Sequence, residues 1–564
     1  MQSKIILIRL LMRTKLIALV TGLLIVTVSA CGQKRTASDY NYQRACEAFF
    51  DEDDDQKALE LLNKHLEEDN RHADSYYIRA RIHYKAGRYT DALRDIKNAL
   101  QYRNRHTRVY ECTLYGLRGK VYSRMELYDE AISALEEAVR LAKREHKDAV
   151  QNHKFELGQT YYIAGKVEQA EAVYLDMLKD DPGDGAAMVG LSRNCLDLEQ
   201  YEKGLEWLEK AETYDNTYAQ IYRFKMQILD KLGRTDEAAD AAIRYWELDD
   251  DSPIALISRY AGKHYSYGVA KVSAMMNRNP SDQRWIFLLI QIHEDHCNYK
   301  KAVSLYEQEE RENGEHHLIS YWKARGYSEM GEFEKAIAEI NKAIEKSEDK
   351  TYVGGRGDIY RAAGRYSDAI ADYSVMLSED PTDGYYYYSI GWCYELQGNL
   401  EKALDYYNRG IDVDKTYAYM FLSRGDILEK SGHVEEAKAD YEKVLELDDE
   451  ADDGSCRQYA LHGLGMDDEA IEWMDKIIEN NPEDAGCYYD KACLLGRMGK
   501  TEEGLAALEM AFRKGYRRFE HLIHDDDMDP YRNTGKYKDL VNKYKAIYIE
   551  ELNGGDEGGL PSSL

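Results

Sequence analysis

The stretch "HEDHC", His293 to Cys297, gathers two imidazoles, two carboxylates and a thiol within five residues. These are the donor types that hold zinc. A zinc-binding helix presents its two His at i and i+4, so that both face the metal. Here they are three apart, and His293 falls in register with Tyr360 and Tyr394 of similar stretches further on. That register reads as a packed side chain. The acidic runs "DEDDD" (Asp51 to Asp55) and "HDDDMDP" (His524 to Pro530) offer oxygens to a hard cation. Neither has the loop glycine or the closing bidentate Glu of a calcium loop, so both read as solvated turns and helix caps. Gly354, Gly355 and Gly357 open a helical segment instead of following a strand, which excludes a phosphate-binding loop there. No Ser nucleophile elbow is present. The residues describe no enzyme, no cofactor and no metal site.

One cysteine has a chemistry of its own. The opening "MQSKIILIRLLMRTKLIALVTGLLIVTVSAC" has scattered Lys and Arg, an apolar run from Leu16 to Val28, then small residues before Cys31. This is the three-part plan of a secretory signal, and the run is shorter than the ~20 residues of a spanning helix. Val28-Ser29-Ala30-Cys31 resembles a bacterial lipobox. Small side chains admit the peptidase, and the thiol is the nucleophile that takes the diacylglycerol. The resemblance implies a signal peptide over residues 1–30 and a lipidated Cys31 opening a polar tether over 31–40. Several acyl chains give stable anchoring. The implied location is the bacterial cell envelope, on the periplasm-facing side of the outer membrane. Met12, followed by Arg13-Thr14-Lys15, is an alternative start. The other eight cysteines are Cys46, Cys112, Cys195, Cys297, Cys393, Cys456, Cys487 and Cys493. None forms a C-x-x-C pair, and they read as buried thiols.

A chain of 564 residues exceeds one compact core. It holds 7 Pro, 48 Tyr against 9 Phe, and 44% hydrophobic residues, which suits a mostly helical folded chain. Its net charge of −29 repels phosphate backbones, so nucleic acid is not an expected partner.

The elements that must position any site are set by a repeat. "AGRYSDAIADYSVMLSEDP" (Ala363 to Pro381) shares its opening with "AGRYTDALRDIKNAL" (Ala86 to Leu100). Aligned on one small residue, the anchors are Ala58, Ala92, Ala131, Ala170, Gly204, Ala238, Gly268, Ala302, Ala336, Ala369, Ala403, Ala437, Ala470 and Gly504. A small anchor lets two helices cross closely. Five residues earlier a turn Gly (Gly87, Gly165, Gly233, Gly331, Gly364, Gly398, Gly432, Gly465, Gly499) is expected to take positive φ. Twelve earlier a small residue often opens the first helix, and twelve later Pro182, Pro280, Pro381 and Pro482 stop the second. Most steps are 34 residues. Two 39-residue steps carry the basic inserts "QYRNRHTR" (Gln101 to Arg108) and "RLAKREHK" (Arg140 to Lys147), expected to lengthen helices. One 30-residue step, near "DDDSPIALISRYAGKHYSYG", predicts a degenerate tile and a bend or weak joint.

This pattern resembles the tetratricopeptide repeat over residues 41–518. The resemblance implies an all-α, right-handed superhelical solenoid of about 14 helix-turn-helix repeats, closed by a capping helical segment over 519–550. Residues 551–564 read as a disordered tail. It further implies that first helices line an inner groove that holds a peptide or helix of a protein partner. Groove positions lie 18, 15, 11, 8 and 7 residues before each anchor. They supply Tyr77, Arg81, Tyr84 and Lys85, then Lys120 and Arg124, then Phe155 and Tyr162. This is a basic and aromatic strip suited to an acidic segment. Further on they supply Tyr385, Tyr388 and Trp392, anchors for peptide side chains or for sugar rings. The function expected is a non-catalytic, lipid-anchored binding scaffold in envelope complex assembly, and a monomer because the end looks capped. A glycan-handling accessory is the alternative, favoured by a flat, exposed Tyr385–Trp392 cluster.

Overall fold

Thirteen of the fourteen repeats turn on a residue in the left-handed region, the exception being the short-step repeat anchored at Gly268. The computed structural model describes residues 37–448, 455–482, 484–519 and 521–554, and among them the secondary structure is helical, with no strand. All nine turn glycines have φ between +71° and +84°. At Gly364 the turn is fixed by two backbone bonds, Gly364 N–H to Arg361 O at 3.0 Å and Arg365 N–H to Tyr360 O at 2.8 Å. These satisfy carbonyls the helix end would otherwise orphan. In four repeats without the glycine, Asp53, Glu126, Glu199 and Cys297 adopt φ of +51° to +60° at the same register. The turn geometry therefore survives loss of the residue that suits it.

Every anchor is buried and stands fourth in its second helix, as Ala369 does in Tyr366–Glu379. The small residues twelve before the anchors do not open helices, contrary to the sequence expectation. Gly357 is mid-way along Thr351–Ala362, and a Cβ there would stand 2.6 Å from the Tyr373 ring. Gly158, Gly391 and Gly425 face Tyr174, Tyr407 and Tyr441 in the same way. The glycine makes room for a large ring four residues after the anchor. Beyond the second helix the prolines end the run and an Asp starts the next: Asp184 accepts from Ala187 N–H at 3.0 Å, and Asp383 from Tyr385 N–H at 2.9 Å.

The first 39-residue step does not lengthen a helix. Tyr89–Tyr102 keeps its usual 14 residues and the insert forms a loop. Asn104 turns the chain by accepting from His106 N–H at 2.8 Å, and Asp74 collects Val109 N–H at 2.8 Å. Such local side-chain bonds compete with helix. The second step does lengthen one, giving the 18-residue Tyr128–Glu145. At the 30-residue step the first helix shrinks to Ile254–Ala261, 8 residues.

The chain divides into two compact units, Met1–Asn216 and Thr217–Leu564. The first contains five anchors and the second nine. The second unit ends in Gly535–Gly554, which enters the segment expected to be a tail, together with short turns from His521 to Arg532. Phe512, Tyr516, Phe519, Leu522, Met528, Tyr531, Tyr537 and Tyr544 form one buried cluster over the last repeat. The Tyr531 hydroxyl donates to Ala492 O at 2.6 Å. Among the described residues no helix is long and apolar enough to cross a membrane. The signal, Cys31 and most of the tether lie outside the described residues.

Candidate binding groove

In the first unit the strip Tyr77 to Tyr162 is half-buried to exposed, and its charges meet partners on neighbouring repeats. Arg81 lies over the Phe49 ring at 4.8 Å and near Tyr77 at 5.8 Å. Lys85 pairs with Asp55 at 2.8 Å and Asp53 at 3.4 Å. Lys120 meets Glu156 at 2.5 Å. Arg124 is held protonated above its usual range by the Tyr84 hydroxyl. Phe155 tilts against Tyr174 at 6.3 Å, and Tyr162 is covered by Arg193 at 3.7 Å and bonded to Asp197. Burial and Asp197 push the Tyr162 hydroxyl up to about 12. The sequence predicts a cationic strip; the structure joins these cations to rings and carboxylates across repeat boundaries, leaving an amphipathic face.

In the second unit Tyr388 is the hub of an aromatic cluster. Its ring lies 5.9 Å from Trp392, 6.0 Å from Tyr407, 5.5 Å from Tyr417 and 6.2 Å from Tyr419, with tilts of 31° to 60°. Burial pushes its hydroxyl up to about 12. Arg361 covers the Trp392 face at 4.1 Å. Tyr385 is 38% exposed and donates to Asp358 at 2.8 Å, as Tyr373 does. Around this cluster stand charges the sequence reading passed over. Glu395 accepts from the Tyr407 hydroxyl at 3.0 Å, and Asp426 from Tyr441 at 2.9 Å. Burial raises both carboxyls above their ordinary range. Arg497 joins Asp426 at 3.6 Å to Asp527 at 2.9 Å. Asp358, Arg361, Glu395, Asp426 and Arg497 all occupy groove positions of their repeats. The rule that found Trp392 finds them too when carried to every repeat.

The tetratricopeptide repeat family matches residues 71–144, 117–185, 155–217, 321–384, 384–417 and 418–450. Tetratricopeptide repeats are thus recognised in both units. It is 27% identical over 90 residues to a chloroplastic protein of Arabidopsis thaliana, covering 15% of this chain and 27% of that protein. With the TPR repeat-containing protein MJ1428 of Methanocaldococcus jannaschii it shares 21% identity over 356 residues, 59% of this chain and 58% of the other. The chain thus spans between about a quarter and somewhat over half of these relatives' lengths. Among solved structures it is similar to YrrB, described as a TPR protein with an unusual peptide-binding site. The identity is 21%, the coverage 32% of this chain and 89% of that one, and the TM-score 0.27.

Among the described residues, three repeats carry a staple the sequence reading missed. Arg79 grips Asp95 through Nε and Nη2, both at 2.7 Å, while Nη1 donates to Asn63 of the preceding repeat at 2.8 Å. Arg356–Asp372–Asn341 and Arg424–Asp440–Asn408 repeat it. Two-pronged Arg–carboxylate bonds fix orientation as well as energy. The positions are thirteen before one anchor, three after it and five after the previous one, a signal present in the sequence.

His293 is buried 2.8 Å from the Tyr265 hydroxyl, in the packed role its register implies. Asp54 caps a helix by accepting from Lys57 N–H at 2.9 Å, and Asp525 accepts from Asp527 N–H at 2.9 Å. Six of the eight described cysteines are buried thiols.

Proposed function

We propose that the chain is a non-catalytic scaffold, anchored to a bacterial membrane through a lipidated Cys31, that holds a peptide or helix of a protein partner against its first-helix face during envelope complex assembly. The observation that carries the binding role is the second-unit cluster of Tyr385, Tyr388, Trp392 and Tyr419 set among Asp358, Arg361, Glu395 and Asp426. Half-buried aromatics beside desolvated charges suit side chains that bring both apolar stems and hydrogen-bonding tips. A sugar ring needs a flat open face. The tilted rings and the Arg361 cover over Trp392 do not supply one, so the glycan reading gains no support.

Crosslinked capture from the native envelope tests the proposal, with the parent chain beside one in which Arg81, Lys85, Lys120, Arg124 and Trp392 are all Ala. Proteins lost only from the altered chain support groove binding. Identical captures would move recognition elsewhere. Incorporation of labelled palmitate into the parent but not into Cys31→Ser tests the anchor.

A further inference from the structure

The two basic inserts, 32 residues apart between Arg108 and Arg140, meet in space. The Tyr110 ring stacks on His146 at 4.7 Å, and Glu145 accepts from Glu111 N–H at 3.1 Å and Cys112 N–H at 3.3 Å. The end of the lengthened helix is thereby pinned to the end of the loop. Residues 101–112 and 140–149 together hold seven Lys and Arg against three acids, on a chain of net charge −29. Arg105, His106, Arg108, Lys143, Arg144 and Lys147 are exposed. Of the three acids, Glu145 holds the two backbone N–H groups, Glu111 pairs with Arg103 at 2.6 Å, and Asp148 is exposed among the cations. Tyr110, 44% exposed, stands among them.

The chain enters the first unit beside this patch. Tyr42, in the helix Ala37–Phe50, packs at 4.6 Å on His72, which caps the helix whose Asp74 collects the N–H groups of Arg108 and Val109. Arg108 is near enough to bear on the titration of Tyr42 and Cys46. From Cys31 to Ala37 is six residues, including Lys34 and Arg35, a reach of at most ~20 Å.

We infer that this patch rests on anionic lipid headgroups and orients the first unit on the membrane. The inference deepens the anchored reading of Cys31 and rests on it for the nearness of the bilayer. An anionic surface attracts juxtamembrane cations over about a Debye length, a tyrosine among them suits the headgroup layer, and one anchor gains from a second, electrostatic attachment. The net negative charge of the remainder is repelled by the same surface, which favours this face against it.

Flotation of the full chain with phosphatidylcholine vesicles, with and without phosphatidylglycerol, tests this. The comparison is with a chain carrying Arg105→Ser, Arg108→Ser, Lys143→Ser and Arg144→Ser, whose unchanged thermal unfolding shows it to be folded. The parent is expected to prefer anionic vesicles, with about a fivefold loss for each cation removed and a loss with added salt. Equal binding by both chains overturns the patch, as does a parent held by soluble poly-glutamate but indifferent to phosphatidylglycerol, which would make the occupant an acidic protein segment. The palmitate label keeps the two readings apart. An unlabelled chain that still prefers anionic vesicles sinks the anchor alone, and a labelled chain without that preference sinks the patch alone.

Discussion

Residues are most informative where they violate their own preferences. Glu126 and Glu199 hold φ of +60° and +57° at a register where nine repeats place glycine. A side chain in that region costs roughly 1–2 kcal/mol, and the turn persists because the next N–H still closes on the first helix, Leu127 to Tyr122 O at 3.0 Å and Gln200 to Cys195 O at 2.8 Å. Glu126→Gly should therefore stabilise the first unit by about 0.5 kcal/mol, after the added flexibility of the unfolded chain is subtracted. Gly364→Ala should destabilise the second by about 1 kcal/mol, since open space surrounds that Cβ and backbone strain alone remains. Denaturant midpoints of the two transitions measure both. Opposite signs are expected, and a loss in both would mean that the glutamate side chain is engaged at that turn.

Elements are joined by the Arg–Asp–Asn staple. It ties both helices of one repeat to the second helix of the repeat before, where small anchors alone would let the pair slide. Asp372 is 6% exposed and meets Arg356 through two bonds at 2.8 Å. Removing one partner of a buried pair strands the other, so Asp372→Ala should cost about 2 kcal/mol or more, the partly exposed Arg356 softening the effect. Hydrogen exchange would locate the loss in Thr351–Ala362 and Tyr366–Glu379. Replacing Asp372 and Arg356 together by apolar residues should recover most of it. A double variant as weak as the single one would assign the loss to packing around Asp372 instead.

At the scale of the molecule, the second unit returns on itself. The Tyr548 hydroxyl in its last helix donates to Cys297 O at 3.0 Å, and Arg518 donates to both carboxylate oxygens of Glu329 at 2.9 and 3.1 Å. A 280 Å³ cleft lined by Tyr299, Met330, Phe519 and Lys545 lies in this joint. The cap is thus held twice, by a buried aromatic core on its own repeat and by a small polar joint to the repeats anchored at Ala302 and Ala336. The polar side is the weaker one, because an exposed ion pair contributes little and is screened by salt. Glu329→Arg should speed amide exchange around Cys297 and Tyr548 several-fold and leave the amides around Tyr531 unchanged. Restoring the pair by adding Arg518→Glu should reverse it. Exchange that rises equally at Tyr531 would mean the cap unfolds as one piece.

The sequence by itself determined the repeat: anchors, turn glycines and stops are local rules, repeated often enough that single departures such as Glu126 or Cys297 did not hide them. It also placed Trp392, Tyr388 and Tyr385 on the first-helix face, since register alone decides which side of a helix a residue occupies. Tertiary structure decided what those faces carry. The strip from Arg81 to Tyr162 reads as cationic in sequence, yet neighbouring repeats bring Phe49, Asp55, Glu156 and Asp197 to it. Only the fold shows that "QYRNRHTR" turns as a loop while "RLAKREHK" extends a helix, and that the two come together at Tyr110 and His146. The return of Tyr548 to Cys297 spans 251 residues. Each repeat adds a small fixed rotation to the last, and where the sum brings an end depends on every repeat between, so no local pattern contains it.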